Sequence, residues 1–135
     1  MTDIRFSLFN RGQNPVGDNM HARFLESCEQ ARLANTLGFD TLMKGSHYSA
    51  YPLLDFQQVP FMARIMAEAP DMRHCAGIVL LPLHKPLDVA ETFANIDVMS
   101  GGKLIFGVGI GYREVEFQAF GTTTKDAAKR FEENL

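Results

Sequence analysis

The sequence predicts an α/β fold built on a parallel sheet, and three observations carry that prediction. Strand-like and helix-like segments alternate along the chain as β-α-β-α-β-α-β and the opening of a further helix, a pattern that implies right-handed parallel crossovers. Leu104, Ile105, Phe106 and Val108 form an apolar run with no polar alternation, as expected of a strand covered on both faces. That run leads straight into Gly107-Val108-Gly109-Ile110-Gly111, which puts glycines at the carboxyl end of a strand, the edge where ligands sit in parallel α/β folds. Periodicity leaves two architectures open, a doubly wound open sheet and a (β/α)8 barrel.

The elements follow in order. Residues 4–9 read as the first strand, and residues 10–19, with Gly12, Pro15 and Gly17, as a loop. Asp18 or Asn19 can cap a helix whose apolar face is Met20, Phe24, Cys28, Ala31, Ala34 and Leu37, and Gly38 ends it. Residues 39–44 form the second strand, followed by a long loop over 45–58 that holds His47, Tyr48, Tyr51 and Pro52. Pro60 suits the first turn of a helix, so the second helix starts near Val59, carries Phe61, Met62, Ile65 and Met66, and stops at Pro70. Residues 73–80 are the third strand. Pro86 opens a third helix that buries Val89, Phe93, Ile96 and Met99 and ends at Gly101-Gly102. The fourth strand and its glycine loop lead to a short acidic-aromatic segment, a polar stretch and a helix beginning at Ala127.

Composition narrows the function. A chain of 135 residues, 46% hydrophobic and 21% charged, can bury one core as a single domain over 1–135. Its net charge of -3 and lack of a basic block argue against nucleic acid as the main partner. No apolar run reaches the roughly 20 residues that span a bilayer. There is no basic leader before an apolar block, so a cytoplasmic protein is expected, with Cys28 and Cys75 as free thiols.

Several site types are excluded by spacing. GxGxG is not the dinucleotide fingerprint GxGxxG, and no GxSxG or P-loop lysine occurs. His21, His74 and His84 do not group with the cysteines at metal-ligand spacing, so no metal site is expected. Glu91 and Asp97 lie six apart on one helix and are assigned structural work. Arg113, beside Glu114 and Glu116, reads as a surface ion pair.

One set of blocks goes further. Leu81-Pro82-Leu83-His84-Lys85-Pro86, Ala90-Glu91, Ile96-Asp97, Ser100-Gly101-Gly102-Lys103, Phe106-Gly107-Val108-Gly109-Ile110-Gly111 and Glu116-Phe117-Gln118-Ala119-Phe120-Gly121 occur in an order and spacing that resembles the bacterial-luciferase-like family of flavin-dependent oxidoreductases and monooxygenases. The resemblance implies a TIM-type barrel with FMN, or in some branches the deazaflavin F420, at the carboxyl ends of its strands. An eight-unit barrel takes about 250 residues. The expectation is therefore the N-terminal, (βα)4-like half of such a barrel, as a partial copy of a longer protein.

The function so implied is oxidation of a small organic substrate by reduced FMN and oxygen. The alternatives are F420-dependent hydride transfer and a non-catalytic flavin-binding module or truncated remnant. The resemblance also implies a homodimer through the second and third helices. It places a non-proline cis peptide at Gly77-Ile78, in a bulge of the third strand against which the flavin packs. It assigns the catalytic role to His47, a neutral imidazole able to donate a hydrogen bond or relay a proton. Here Gly45-Ser46-His47-Tyr48 stands where the family pattern has an acidic residue followed by one or two histidines. Gly107, Gly109, Ile110 and Gly111 would line the cofactor, with Tyr112 and Arg113 beside them.

Overall fold

The computed structural model describes residues 4–135. Four strands, β1 (Ser7–Asn10), β3 (Thr41–Lys44), β5 (Arg73–Leu80) and β6 (Leu104–Gly109), make one sheet in the order β1-β3-β5-β6, and every pairing is parallel. Helices α1 (Met20–Thr36), α2 (Gln58–Ile65) and α3 (Pro86–Ser100) connect consecutive strands. This is the arrangement of the first four strands of a (β/α)8 barrel, in which sequence neighbours are also sheet neighbours.

The core lies between sheet and helices. Leu42 of β3 packs with Cys28, Ala31 and Ala34 of α1 and with Phe61 and Ile65 of α2, and Leu8 joins them from β1. A second cluster sets Ala76 and Val79 of β5 against Met62 of α2 and Val89, Phe93 and Ile96 of α3. Alternation along the strands then turns Phe9, Met43 and Cys75 to the other, concave face.

Local chemistry sets the helix ends. Asn19 accepts a hydrogen bond from the Ala22 backbone N–H at 3.1 Å and caps α1, while Asp18 pairs with Arg23 at 2.9 Å. Gly101 closes α3 at φ +70°, a left-handed cap for which glycine is the natural residue. Asp97 and Ser100 then secure the entry to β6: Asp97 Oδ1 accepts from the Leu104 N–H at 3.3 Å, and Ser100 Oγ from the Lys103 N–H at 3.0 Å.

Some expectations need correction. The first two strands are shorter than the apolar runs that signal them, starting at Ser7 and Thr41. Helix α2 starts one residue early at Gln58 and stops at Ile65, because Glu68 and Ala69 donate to carbonyls three residues back and tighten the chain before Pro70. Met99 is 58% exposed rather than buried. At 100° per residue it drifts about 80° off the stripe that starts at Val89. Leu37, beyond the last turn of α1, is likewise exposed. Two loop segments pair as a small antiparallel ribbon, β2 (Asn14–Pro15) with β4 (Leu53–Leu54), which ties the loop after β1 to the loop after β3. The segment after the glycine loop is a helix, α4 (Glu114–Ala119), and α5 (Ala127–Asn134) follows it.

One surface cluster makes the base of the sheet acid-sensitive. Thr41 Oγ1 donates to Asp40, and Arg73 and Arg5 pair with the same carboxylate, which brings its pKa from 3.8 to about 2. A depressed carboxylate contributes stability that is present above the unfolded value and lost as pH falls through the folded one. Urea midpoints of wild type and Asp40→Asn should therefore converge as pH falls from 3.8 towards 2. Parallel acid profiles would contradict this assignment.

Candidate active site at the carboxyl edge

The concave face at the carboxyl ends of the strands is floored by glycines. A Cβ on Gly77 would stand 2.7 Å from Met43 Cγ, one on Gly107 2.6 Å from the Ala76 carbonyl oxygen, and one on Gly109 2.0 Å from Ile78 Cδ1. Gly45, at the end of β3, lies against the Phe9 ring and faces the Gly77 carbonyl. With no side chains standing on these positions, backbone and a few apolar groups form the surface. Ile78 (40% exposed) and Phe9 (50% exposed) are the large apolar side chains left open there.

The ladder between β5 and β6 shifts register between Ala76 and Val79, so Gly77 and Ile78 bulge out of the sheet. The Gly77–Ile78 peptide bond is cis, at the position where the resemblance puts it. Gly77, Ile78, Gly107 and Gly109 thus come together on one surface. Ile110 is exposed just past β6. Gly111 does something else: at φ +79° it turns the chain into α4, and a Cβ there would stand 3.3 Å from the Phe117 ring.

The loop after β3 is joined by hydrogen bonds to Arg113 and α4. Glu116, 1% exposed, receives the Tyr48 backbone N–H at 2.9 Å and Arg113 Nη1 at 3.2 Å on Oε1, and His47 Nδ1 lies 3.2 Å from the same oxygen. Arg113 also donates to the carbonyls of Tyr48 (3.1 Å) and Ser49 (3.3 Å). The expected surface ion pair is therefore a half-buried strap that holds the His47 loop. Tyr48 packs edge-on against Phe120 with ring centroids 4.7 Å apart, and its hydroxyl lies 3.3 Å from His84 Nε2. Burial pushes the His84 imidazole down and the Tyr48 phenol up, so both are neutral groups near pH 7.

Two further features lie on the helix side of the sheet. Lys44 and Asp55 form a fully buried ion pair at 2.7 Å. A cavity of about 200 Å³ opens between α2 and α3, lined by Tyr48, Gln58, Val79, His84 and Phe93. Among the described residues no group of three or more His, Cys, Asp or Glu is placed to hold a metal ion. None of their helices is long and apolar enough to cross a membrane.

A family model described as luciferase-like monooxygenase matches residues 4–135. The chain belongs to that family. Among its luciferase-like relatives is 4-hydroxyprotoasukamycin monooxygenase of Streptomyces nodosus subsp. asukaensis, 27% identical over 136 residues, a match that takes in 100% of this chain and 36% of the relative. The crystal structure of monooxygenase RslO1 from Streptomyces bottropensis superposes with a TM-score of 0.85 at 28% identity, over 97% of this chain and 40% of that one. The oxygenating constituent of 3,6-diketocamphane monooxygenase from Pseudomonas putida, solved in complex with FMN, also gives 0.85, at 18% identity over 97% of this chain and 37% of that one, a likeness of fold. This luciferase-like chain thus spans well under half the length of the relatives it matches.

Glu116 is recognisable in the sequence as a partner of Arg113, but its burial and its contact with His47 are not. Arg113, at the N-cap of α4, pairs with Glu116 as the sequence suggests, but the pair is half-buried against the His47 loop and not at the surface. The contact with His47 bridges 69 positions, and no local pattern reveals it.

Proposed function

We propose that this chain carries the flavin-facing half of a flavin-dependent monooxygenase that acts on a small organic substrate with reduced FMN and oxygen. The observation that carries the reading is the glycine floor of Gly77, Gly107 and Gly109 at the carboxyl ends of the strands, with His47 beyond it, in a chain of this family. A flat ring needs a surface free of projecting side chains, and a methyl group on Gly107 would meet the Ala76 carbonyl oxygen, while on Gly77 and Gly109 it would meet the Met43 and Ile78 side chains. Ile78 and Phe9 would supply apolar contact to the ring faces and exclude water from it. Bound reduced FMN would supply the two electrons with which one atom of dioxygen enters the substrate and the other leaves as water. His47 would hold or move a proton at the rim of that surface.

Titration of the intact protein with FMN, followed by flavin fluorescence, tests this. Saturable binding is expected, and Gly107→Ala should weaken it at least about tenfold, or about 1.4 kcal/mol. Its methyl group meets a backbone oxygen that cannot swing away. Gly109→Ala, despite the shorter distance, meets only the tip of Ile78, which can rotate, and should cost less. Absence of FMN binding would overturn the reading, and tight binding of F420 alone would replace it with the deazaflavin alternative.

A further inference from the structure

We infer that Glu116 is a positioning residue that fixes the tautomer of His47, and so decides which ring nitrogen is presented to the proposed flavin surface. Its Oε1 is the meeting point of three nitrogens, His47 Nδ1, the Tyr48 backbone N and Arg113 Nη1. A backbone amide and a guanidinium are donors only. The oxygen that receives both is an acceptor, and a ring nitrogen at 3.2 Å from it must bring the proton. His47 is thereby held with hydrogen on Nδ1, so that in the neutral ring the lone pair is on Nε2, which makes no hydrogen bond among the described residues.

The carboxylate is itself held in place. Glu116 is buried on α4, directly before Phe117, which is fully buried. Arg113 ties the same helix to the Tyr48 and Ser49 carbonyls, and the packing of Tyr48 with Phe120 closes the other side. A histidine whose second nitrogen is engaged by a fixed carboxylate has one tautomer and one ring orientation, which is how such pairs present a base. Nε2 then takes a proton from a donor on the carboxyl-edge surface, and the carboxylate stabilises the imidazolium that results without taking the proton itself.

The role in turnover rests on the flavin reading, whereas the tautomer does not, and the experiment separates the two. Nitrogen-15 spectra of histidine-labelled protein, recorded above the His47 titration, are expected to show His47 protonated at Nδ1 and bare at Nε2. In Glu116→Ala that preference should be lost, and Glu116→Asp, which keeps the acceptor, should restore part of it. Protonation at Nε2 in the wild type, or an unchanged Nδ1–H in a folded Glu116→Ala, overturns the inference. The wild-type spectrum alone can do so, so a folding defect in the variant does not remove the test. With reduced FMN, oxygen and a substrate that the wild type oxygenates, Glu116→Ala should lower the rate of product formation about 100-fold while leaving FMN affinity in place. If FMN does not bind but the Nδ1 tautomer is found, the flavin reading fails and the assignment of Glu116 stands.

Discussion

Asp55→Ala is expected to destabilise the fold by about 3–5 kcal/mol, the cost of leaving one member of a buried ion pair without its partner. Lys44 is 0% exposed and Asp55 1% exposed in their side chains, with Nζ 2.7 Å from Oδ1. The Lys44 ammonium lies 5.6 Å from the Phe61 ring centroid, a weak substitute for a carboxylate. Burial pushes the Asp55 carboxyl up, and the Lys44 charge pulls the other way. The second carboxylate oxygen and Asn10 Oδ1 are buried without a hydrogen-bond partner among the described residues. Urea midpoints at constant m measure the loss. The double variant Lys44→Met with Asp55→Leu removes both charges together and should recover most of it. A single variant that unfolds at the wild-type midpoint would show that Lys44 finds another partner.

His47→Ala is expected to lower turnover with reduced FMN and oxygen about 100-fold or more, the usual scale for a group that moves a proton in the transition state. FMN affinity should change little, because the floor that would hold the ring belongs to β5 and β6 and not to the loop after β3. A steady-state comparison separates the effects: a fall in kcat with KM held marks a role in the chemical step, and a rise in KM alone marks binding. Equal turnover of His47→Ala and wild type would remove His47 from the mechanism.

The fold was legible wherever burial imposed a period. The helix-facing stripe Val89, Phe93, Ile96 is visible in sequence because a helix against a sheet must hide every third or fourth residue. The glycine run after Ile105 and Phe106 marked the carboxyl edge for the same reason in reverse, since side chains are missing where something approaches the backbone. Long-range polar pairing left no such trace. Lys44 stands in a strand like any other lysine until Asp55 folds back onto it, and Glu116 looks like a surface helix acid until the His47 loop hydrogen-bonds to it. The small β2–β4 ribbon is two residues on each side, one of them Pro15, too short and too irregular to carry a strand signal.

A crystal structure of the intact protein with FMN would show where the cofactor sits. The isoalloxazine ring is expected on the concave face, in van der Waals contact with Ile78, over Gly107 and Gly109, with His47 Nε2 turned towards it. A ring seated instead on the helix side, in the cavity beside Tyr48 and His84, would contradict this placement.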